Sequence, residues 1–282
     1  MADLGAWERK AINRLRSHST AVVSFVSDHI AAHERALLGE LLPDAHTPDE
    51  IKRAFKSLQR GIYLCRHGET DLGATGHNQG WLDDPLNKDG KQQVKLLGEW
   101  LIGRNVEQVR SSDLKRARQT SKAVCKTLEI DLYESSFVYR DWTLGTLDGR
   151  PRKDVAELIQ NYVNTVPDTA PDGGESFNKF KNRVLPAIQA LMDVVLDPNS
   201  PGFVISLCCH SSVQRAVAAW VQSGANGELD FDTDTFFSLD IAPASVIWLV
   251  PTAKGWKWQY IDVISEMGGE AAVSTGQIKG TK

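Results

Sequence analysis

The sequence predicts a three-layer α/β/α fold with a mostly parallel central sheet, preceded by a small helical segment. From residue 61 onward, short apolar runs alternate with longer stretches whose apolar residues recur at helical spacing. The run at 62–65 is apolar throughout, as expected of a central strand covered on both faces. A domain of about 200 residues is large enough to bury a core of its own.

The elements of this domain are predicted in a simple order. A strand at 62–65 precedes helices at 91–101, 114–128 and 177–196, and a strand at 203–209, a helix at 213–221 and strands at 246–250 and 256–264 follow. Pro186 lies inside the long helix and predicts a kink, because an interior proline removes one backbone hydrogen bond.

Residues 1–58 are predicted to form a separate helical extension. The stretch Thr47-Pro48-Asp49-Glu50 is typical of a helix start, with a threonine cap, a proline at the first position and a glutamate that completes a capping box. The predicted organisation is therefore an extension at 1–58, an α/β domain at 59–267 and a polar, disordered tail at 268–282.

Composition excludes several classes of function. The chain carries 32 lysines and arginines against 36 aspartates and glutamates, a net charge of −4, which gives no electrostatic case for nucleic acid or a membrane surface. No continuous apolar stretch predicts a signal peptide or a membrane span, so a cytoplasmic protein is expected. The four cysteines have no zinc spacing and are predicted to be buried in a reducing compartment.

Two histidines each follow a predicted strand directly. Arg66 and His67 come after the first strand, and His210 comes after the strand at 203–209. Because ligands bind at the carboxyl ends of parallel strands, these side chains are expected at one edge of the sheet. An arginine binds phosphate oxygens in a fixed geometry, and a neutral imidazole is a competent nucleophile near neutral pH. The pair therefore indicates phosphoryl chemistry, although an isolated Arg-His-Gly is more often a surface turn.

Further motifs follow in order along the chain. They are Leu64-Cys65-Arg66-His67-Gly68-Glu69-Thr70, Gly80-Trp81-Leu82-Asp83-Asp84-Pro85-Leu86, the block from Ser112 through Arg116 and Ala117 to Gln119 and Thr120, Gly173-Gly174-Glu175-Ser176 with Arg183, and His210. From about residue 61 to residue 264 the chain resembles the histidine phosphatase superfamily, also called phosphoglycerate mutase-like.

The resemblance implies a metal-independent phosphomonoesterase that hydrolyses a small phosphorylated metabolite through a phosphohistidine. His67 would be the nucleophile, and Arg66, Arg116 and His210 would bind the phosphate. No cofactor or metal is implied, and the expected partner is a small phosphomonoester. The alternatives without a catalytic role are that each arginine is a solvent-exposed surface residue and that His210 caps the helix that follows it. Ser211 follows His210 where the family usually has glycine.

The general acid has two candidates. Asp141 occupies the position at which most members of the family have glutamate, four residues before Gly145, and Trp142 could exclude water from it. Asp148 is the alternative acid, and its bland role is a turn residue. The family also places an asparagine on the phosphate where this chain has Gly73; Asn78, in the following loop, is the predicted substitute.

An acidic stretch over 228–234 resembles the opening of a calcium loop. The sixth position is Thr235 instead of glycine and the twelfth is Ile241 instead of glutamate, so calcium binding is rejected. A solvated loop near the pocket mouth is expected.

Two alternative functions stay open. The first is a phosphoglycerate-type mutase, although the interval between the acid and the Gly-Gly-Glu-Ser motif is shorter here than mutases usually have. The second is a non-catalytic phosphate-binding or phage-assembly module, because residues 1–58 are similar to helical segments of phage portal and head-assembly proteins. Contacts with phage-related proteins through that segment and a homodimer are the corresponding partner hypotheses.

Overall fold

A central six-stranded sheet organises the protein, for which the computed structural model describes residues 60–197, 203–225, 231–252 and 255–268. The strands are β1 (Gly61–Arg66), β2 (Val106–Ser112), β3 (Leu132–Ser136), β4 (Val204–Cys209), β5 (Val246–Thr252) and β6 (Gly255–Ile261). They lie in the order β3-β2-β4-β1-β5-β6. The first four strands are mutually parallel, whereas β5 runs antiparallel to β1 and β6 antiparallel to β5. The mostly parallel sheet is confirmed.

Helices cover both faces of this sheet. They are α1 (Asp71–Ala74), α2 (Lys88–Leu101), α3 (Lys115–Leu128), α4 (Arg152–Asn164), α5 (Phe177–Leu196), α6 (Ser211–Gln222), α7 (Thr233–Ser238) and α8 (Val263–Glu266). Two short 3₁₀ turns lie at Phe137–Tyr139 and Gly145–Leu147.

The core has two halves because successive strand residues point to opposite faces. Ile62 and Leu64 pack in one cluster with α5 and α6, while Tyr63 and Cys65 pack in the other with α2 and α3. β1 and β4 are buried along their whole length. This confirms the three-layer α/β/α fold.

The sequence missed two strands and four helices, among them the short helices α1, α7 and α8, and it placed some ends wrongly. β2, β3 and α4 were not predicted, since their polar residues break the apolar patterns that mark buried strands and amphipathic helices. The predicted strand at 256–264 is wrong beyond Ile261, because Asp262 accepts a hydrogen bond from Ser265 N and caps α8. α5 is 20 residues long and is not interrupted at Pro186. The kink predicted there stays a prediction.

The acidic stretch is not simply a solvated loop. The Asp232 carboxylate accepts hydrogen bonds from the backbone N–H groups of Asp234 and Thr235 and caps α7. Glu228 and Asp230 lie outside the described residues. α7 brings Phe236 and Phe237 to the cavity described below.

Several predictions concern parts of the chain that the structure does not describe. The helices at 1–58 and the tail beyond 268 fall there, so the division into 1–58, 59–267 and 268–282 stays a prediction, as do the phage-related contacts and the homodimer. Among the described residues, none of the helices is long and apolar enough to cross a membrane. Cys65, Cys208 and Cys209 are buried, while Cys125 is half-buried.

The first turn of α2 packs closely on the loop that follows His67, and two glycines make this contact. A Cβ atom at Gly90 would lie 2.1 Å from Glu69 O, and one at Gly68 would lie 2.6 Å from Gly90 O. Glu69 O cannot move without shifting the loop, and Gly90 O cannot move without shifting the helix. The close packing of helix and loop therefore requires both glycines.

We expect Gly90→Ala to lower the free energy of unfolding by about 1–3 kcal/mol, because the added methyl overpacks the contact with Glu69. In an unhindered helix the same change would stabilise the protein by about 0.5–1 kcal/mol, so the sign decides. Urea unfolding measures the difference, with Lys91→Ala at the exposed neighbouring position as control. A Gly90→Ala protein more stable than the wild type would contradict the packing argument.

Candidate active site

The two histidines after strands lie side by side. β1 and β4 are parallel neighbours with Arg66 opposite Cys209, so the residues that follow them, His67 and His210, leave the sheet together. His67 N donates a hydrogen bond to Cys209 O at 3.0 Å, and the two imidazole centroids are 5.2 Å apart. The register of one strand pair therefore brings together residues that are 143 positions apart in the sequence.

Arg116 enters the site from the start of α3 and is fully buried. Its Nε lies 3.2 Å from His67 Nε2. Its two terminal nitrogens donate to Gly80 O at 2.8 Å and to Leu82 O at 2.7 Å. The guanidinium is thus held against His67 by two backbone carbonyls.

The loop 80–86 also fixes the start of α3. Leu114, at the N-cap, provides no side-chain hydrogen bond, and Asp83 supplies it instead by accepting from Lys115 N at 2.5 Å. Gln119 Oε1 accepts from Leu86 N at 2.7 Å. This motif therefore orients Arg116 from two sides.

The hydrogen bonding of His67 defines its tautomer. Nδ1 lies 2.7 Å from Gly68 O, and since a carbonyl only accepts, Nδ1 carries the proton. Nε2 therefore carries a lone pair, which accepts the hydrogen bond from Arg116 Nε. Burial, followed by the charges of Arg116 and Arg66, holds the pKa of His67 well below its ordinary 6.5, so the ring is neutral at neutral pH.

His210 is also buried and neutral. Its Nε2 lies 2.9 Å from Ser112 Oγ, which in turn accepts a hydrogen bond from Leu114 N. Burial, followed by the charge of Arg116, lowers the pKa of His210 well below 6.5. Its Nδ1 makes no hydrogen bond to any described residue and lies 3.9 Å from Asp141 Oδ2. His210 also immediately precedes α6, whose N-terminus favours an anion.

Asp141 meets this cluster from the loop after β3. Its Oδ1 accepts hydrogen bonds from Ser212 Oγ and from Trp142 N, and its Oδ2 lies 3.5 Å from Arg116 Nη2. Its backbone carbonyl accepts from Trp81 Nε1 at 2.8 Å and from Arg183 Nη2 at 3.1 Å. The carboxylate is therefore fixed from both its side chain and its backbone.

Arg183 supports the Asp141 loop without entering the cavity. Its Nε and Nη2 form a bidentate pair with the Glu175 carboxylate at 2.9 and 2.8 Å, and its Nη1 donates to the carbonyls of residues 137, 138 and 140. Next to it, Gly174 lies so close to Gly145 that a Cβ on Gly145 would be 2.4 Å from Gly174 N. The Gly-Gly-Glu-Ser motif thus supports the loop that carries Asp141.

Asp148, the alternative acid, makes its hydrogen bonds to residues of the neighbouring loops. Its carboxylate accepts hydrogen bonds from Thr143 Oγ1 at 2.6 Å, from Leu144 N at 2.9 Å and from Trp81 N at 3.1 Å. Burial raises its pKa, and it does not line the cavity. The Asp148 side chain thus closes the turn at 143–148, which is the structural role given above as the alternative to catalysis.

A cavity of about 90 Å³ opens beside His67. Its lining includes the polar residues Arg66, His67 and Asp141 and the apolar residues Ile159, Phe236 and Phe237. Arg152, Arg215 and Asp240 also line it. Arg116 and His210 are fully buried next to His67 and are not among the lining residues.

The loop that contains Asn78, the predicted substitute for the family asparagine, also reaches this cavity. Asn78 lines it, and its Nδ2 is buried with no hydrogen-bond partner among the described residues. Gln79 lines it as well and donates from Nε2 to Thr70 Oγ1 at 2.9 Å. A Cβ atom at Gly73 would lie 2.7 Å from that Nε2, so the glycine leaves room for Gln79.

Sequence reasoning did not assign Gln79, Arg152, Arg215 or the cavity-facing aromatic residues of α7 to the site. Ser211, Ser212 and Arg215 are spaced to share one face of α6, and this spacing is a signal that could have been used. No pattern in the sequence points to Phe236. Among the described residues, no group of three or more histidine, cysteine, aspartate or glutamate side chains could hold a metal ion.

The lowered pKa values of His67 and His210 predict acid sensitivity. Below pH 6.5 the unfolded chain binds protons that the folded protein does not, so stability is complete above that pH and is lost on acidification. We expect the urea concentration at the midpoint of unfolding to decrease when the pH is lowered from about 7.5 to about 5.5. The decrease should be smaller in His210→Gln. His77→Gln, outside the cavity, is the matched control. Identical pH slopes for His210→Gln and the wild type would contradict the prediction.

Comparison with known proteins agrees with this geometry. The family model described as "Histidine phosphatase superfamily (branch 1)" matches residues 62–263. A probable phosphoglycerate mutase from Salmonella typhi is 29% identical over 167 residues, which cover 57% of this chain and 77% of the relative.

Two solved structures share the fold. A mycobacterial glucosyl-3-phosphoglycerate phosphatase is similar with a TM-score of 0.58 at 24% identity, covering 71% of this chain and 96% of that protein. A putative alpha-ribazole-5'-P phosphatase from Escherichia coli is similar with a TM-score of 0.57 at 19% identity, covering 72% and 96%. Because the family model matches most of the chain, we conclude that this protein belongs to branch 1 of the histidine phosphatase superfamily.

Proposed function

We propose that the protein is a metal-independent phosphomonoesterase that hydrolyses a small phosphorylated metabolite through a phosphohistidine on His67. The observation that carries the proposal is the unprotonated Nε2 of His67, which follows the parallel strand β1. This nitrogen lies 3.2 Å from Nε of the fully buried Arg116. A neutral imidazole nitrogen with a cation beside it suits attack on phosphorus.

In the first step, His67 Nε2 forms a bond to phosphorus as the bond to the leaving alcohol oxygen breaks. Asp141 donates its proton to that oxygen, so the alcohol leaves neutral. The hydrogen bond from His67 Nδ1 to Gly68 O keeps the nucleophilic nitrogen unprotonated. In the second step, water attacks phosphorus, Asp141 takes a proton from the water, and the bond to Nε2 breaks to release phosphate.

The phosphate oxygens are proposed to bind Arg66, Arg116, His210 and Asn78. Burial, followed by repulsion from Arg152 and Arg215, lowers the pKa of Arg66 to about 9, and a bound dianion relieves that repulsion. The buried Nδ2 of Asn78 and Nδ1 of His210 both lack partners among the described residues, as expected of groups that await a ligand.

A phosphoglycerate-type mutase is the second candidate. It would use the same phosphohistidine but return the phosphoryl group to another hydroxyl of the substrate. Arg152 lines the cavity and could bind a second anionic group, and curated relatives carry the mutase name. Incubation with 3-phosphoglycerate decides, because a mutase yields an isomer and a phosphatase yields free phosphate.

We expect His67→Ala to keep its fold and to lose activity by more than about 100-fold, because the side chain supplies the nucleophile. Phosphate release is measured with several phosphomonoesters in excess chelator. Wild type incubated with substrate radiolabelled in its phosphoryl group and quenched in alkali, in which phosphohistidine is stable, should carry the label on His67. His77→Ala is the matched control, and a His67→Ala protein with a hundredth or more of wild-type activity would refute the nucleophile.

We expect Asp141→Asn to slow hydrolysis of alkyl phosphates by about 10²- to 10⁴-fold and that of para-nitrophenyl phosphate far less, because nitrophenolate leaves without a proton. Asp148→Asn should have a weaker effect, similar for both substrates, since its carboxylate closes a turn. The comparison of kcat for the two substrates tests this. If only Asp148→Asn depends on the leaving group, the acid has been assigned wrongly.

A further inference from the structure

The two carboxylate oxygens of Asp141 have different surroundings. Oδ1 accepts hydrogen bonds from the hydroxyl of Ser212 and from Trp142 N at 3.1 Å. Oδ2 accepts from neither of them. It accepts a long hydrogen bond from Arg116 Nη2 at 3.5 Å and lies 3.9 Å from His210 Nδ1. Oδ1 therefore faces its supports, and Oδ2 faces the groups of the proposed phosphate site.

Ser212 is held so that its hydroxyl proton points to Asp141. Its Oγ lies 3.2 Å from Trp142 N, which can only donate, so Oγ is the acceptor there and its own proton is available for Oδ1. Ser212 is the second residue of α6 and follows His210 by two positions. On the other side, Trp142 is buried and its Nε1 donates to Glu175 O at 2.8 Å.

These contacts decide which oxygen can carry a proton. An oxygen that already accepts from a hydroxyl and an amide has little capacity left for a proton, whereas among the described residues Oδ2 accepts one long hydrogen bond, from Arg116 Nη2 at 3.5 Å, and faces the phosphate site. A proton on Oδ1 would also displace the proton of Ser212.

From this geometry we propose that Ser212 is a positioning residue for the general acid: its hydroxyl occupies Oδ1 and makes Oδ2 the oxygen that exchanges protons with substrate. The proposal rests on the proposed function. In the first step the Oδ2 proton passes to the leaving oxygen as the P–O bond breaks, and the hydroxyl of Ser212 stabilises the carboxylate that remains. In the second step the proton from water returns to Oδ2.

The test is the leaving-group dependence of Ser212 variants. We expect Ser212→Ala to lower kcat for an alkyl phosphate by about 10- to 100-fold, the size expected for a lost hydrogen bond to a charged group, with little change for para-nitrophenyl phosphate or in inhibition by inorganic phosphate. Ser212→Thr keeps a hydroxyl and should recover most of the rate. Ser223→Ala, at the other end of α6, should match the wild type on both substrates.

A double variant separates positioning from simple structural support. If Ser212 acts through Asp141, adding Ser212→Ala to Asp141→Asn should cause little further loss, whereas independent effects would multiply. Equal loss on both substrates, multiplied losses, or failure of Ser212→Thr to recover would overturn the proposal. Urea unfolding of each variant identifies losses that come from instability.

The same variants distinguish this proposal from the proposed function. If Asp141→Asn has no leaving-group dependence, the acid assignment fails and the role of Ser212 fails with it. If Asp141→Asn shows the dependence and Ser212→Ala does not, Asp141 is still the acid and only the positioning role is refuted.

Discussion

The burial of one guanidinium shapes most of the site. Arg116 is fully buried, and an uncompensated charge there would be strongly destabilising. Carbonyl oxygens of Gly80 and Leu82 and the carboxylates of Asp84 and Asp141 compensate it. The path of the 80–86 loop, the start of α3 and the placement of the Asp141 loop all satisfy this requirement. In this position Arg116 Nε donates a hydrogen bond to His67 Nε2.

Positive charge accumulates around the cavity beyond what structure alone requires. Burial lowers the pKa of Arg66 to about 9, and it also lowers the pKa values of Arg116, Arg152 and Arg215. Burial, together with the charges of Arg116 and Arg66, lowers the pKa values of His67 and His210 and keeps both rings neutral. A site that holds cations close together before its ligand arrives gives up stability for electrostatic preorganisation, which suits a dianionic phosphoryl group.

Several motif residues that resemble catalytic groups have structural contacts instead. Glu175 and Arg183 hold each other and the carbonyls of the Asp141 loop. Asp83 caps α3, and Asp148 closes a turn. In this protein a charged residue in a motif thus often positions backbone, and the groups that face the cavity form a smaller set.

The sequence by itself determined the alternation of strands and helices, and with it the edge where His67 and His210 meet, because parallel strands share one carboxyl end. It also pointed to Arg116 and to Asp141 ahead of Asp148, although only as a resemblance. Tertiary structure alone decided how Ser212 contacts Asp141, which Arg and Phe side chains line the cavity, and how Asn78 enters it. These contacts join residues far apart in the chain, and they depend on how helices and loops pack, which local spacing does not encode.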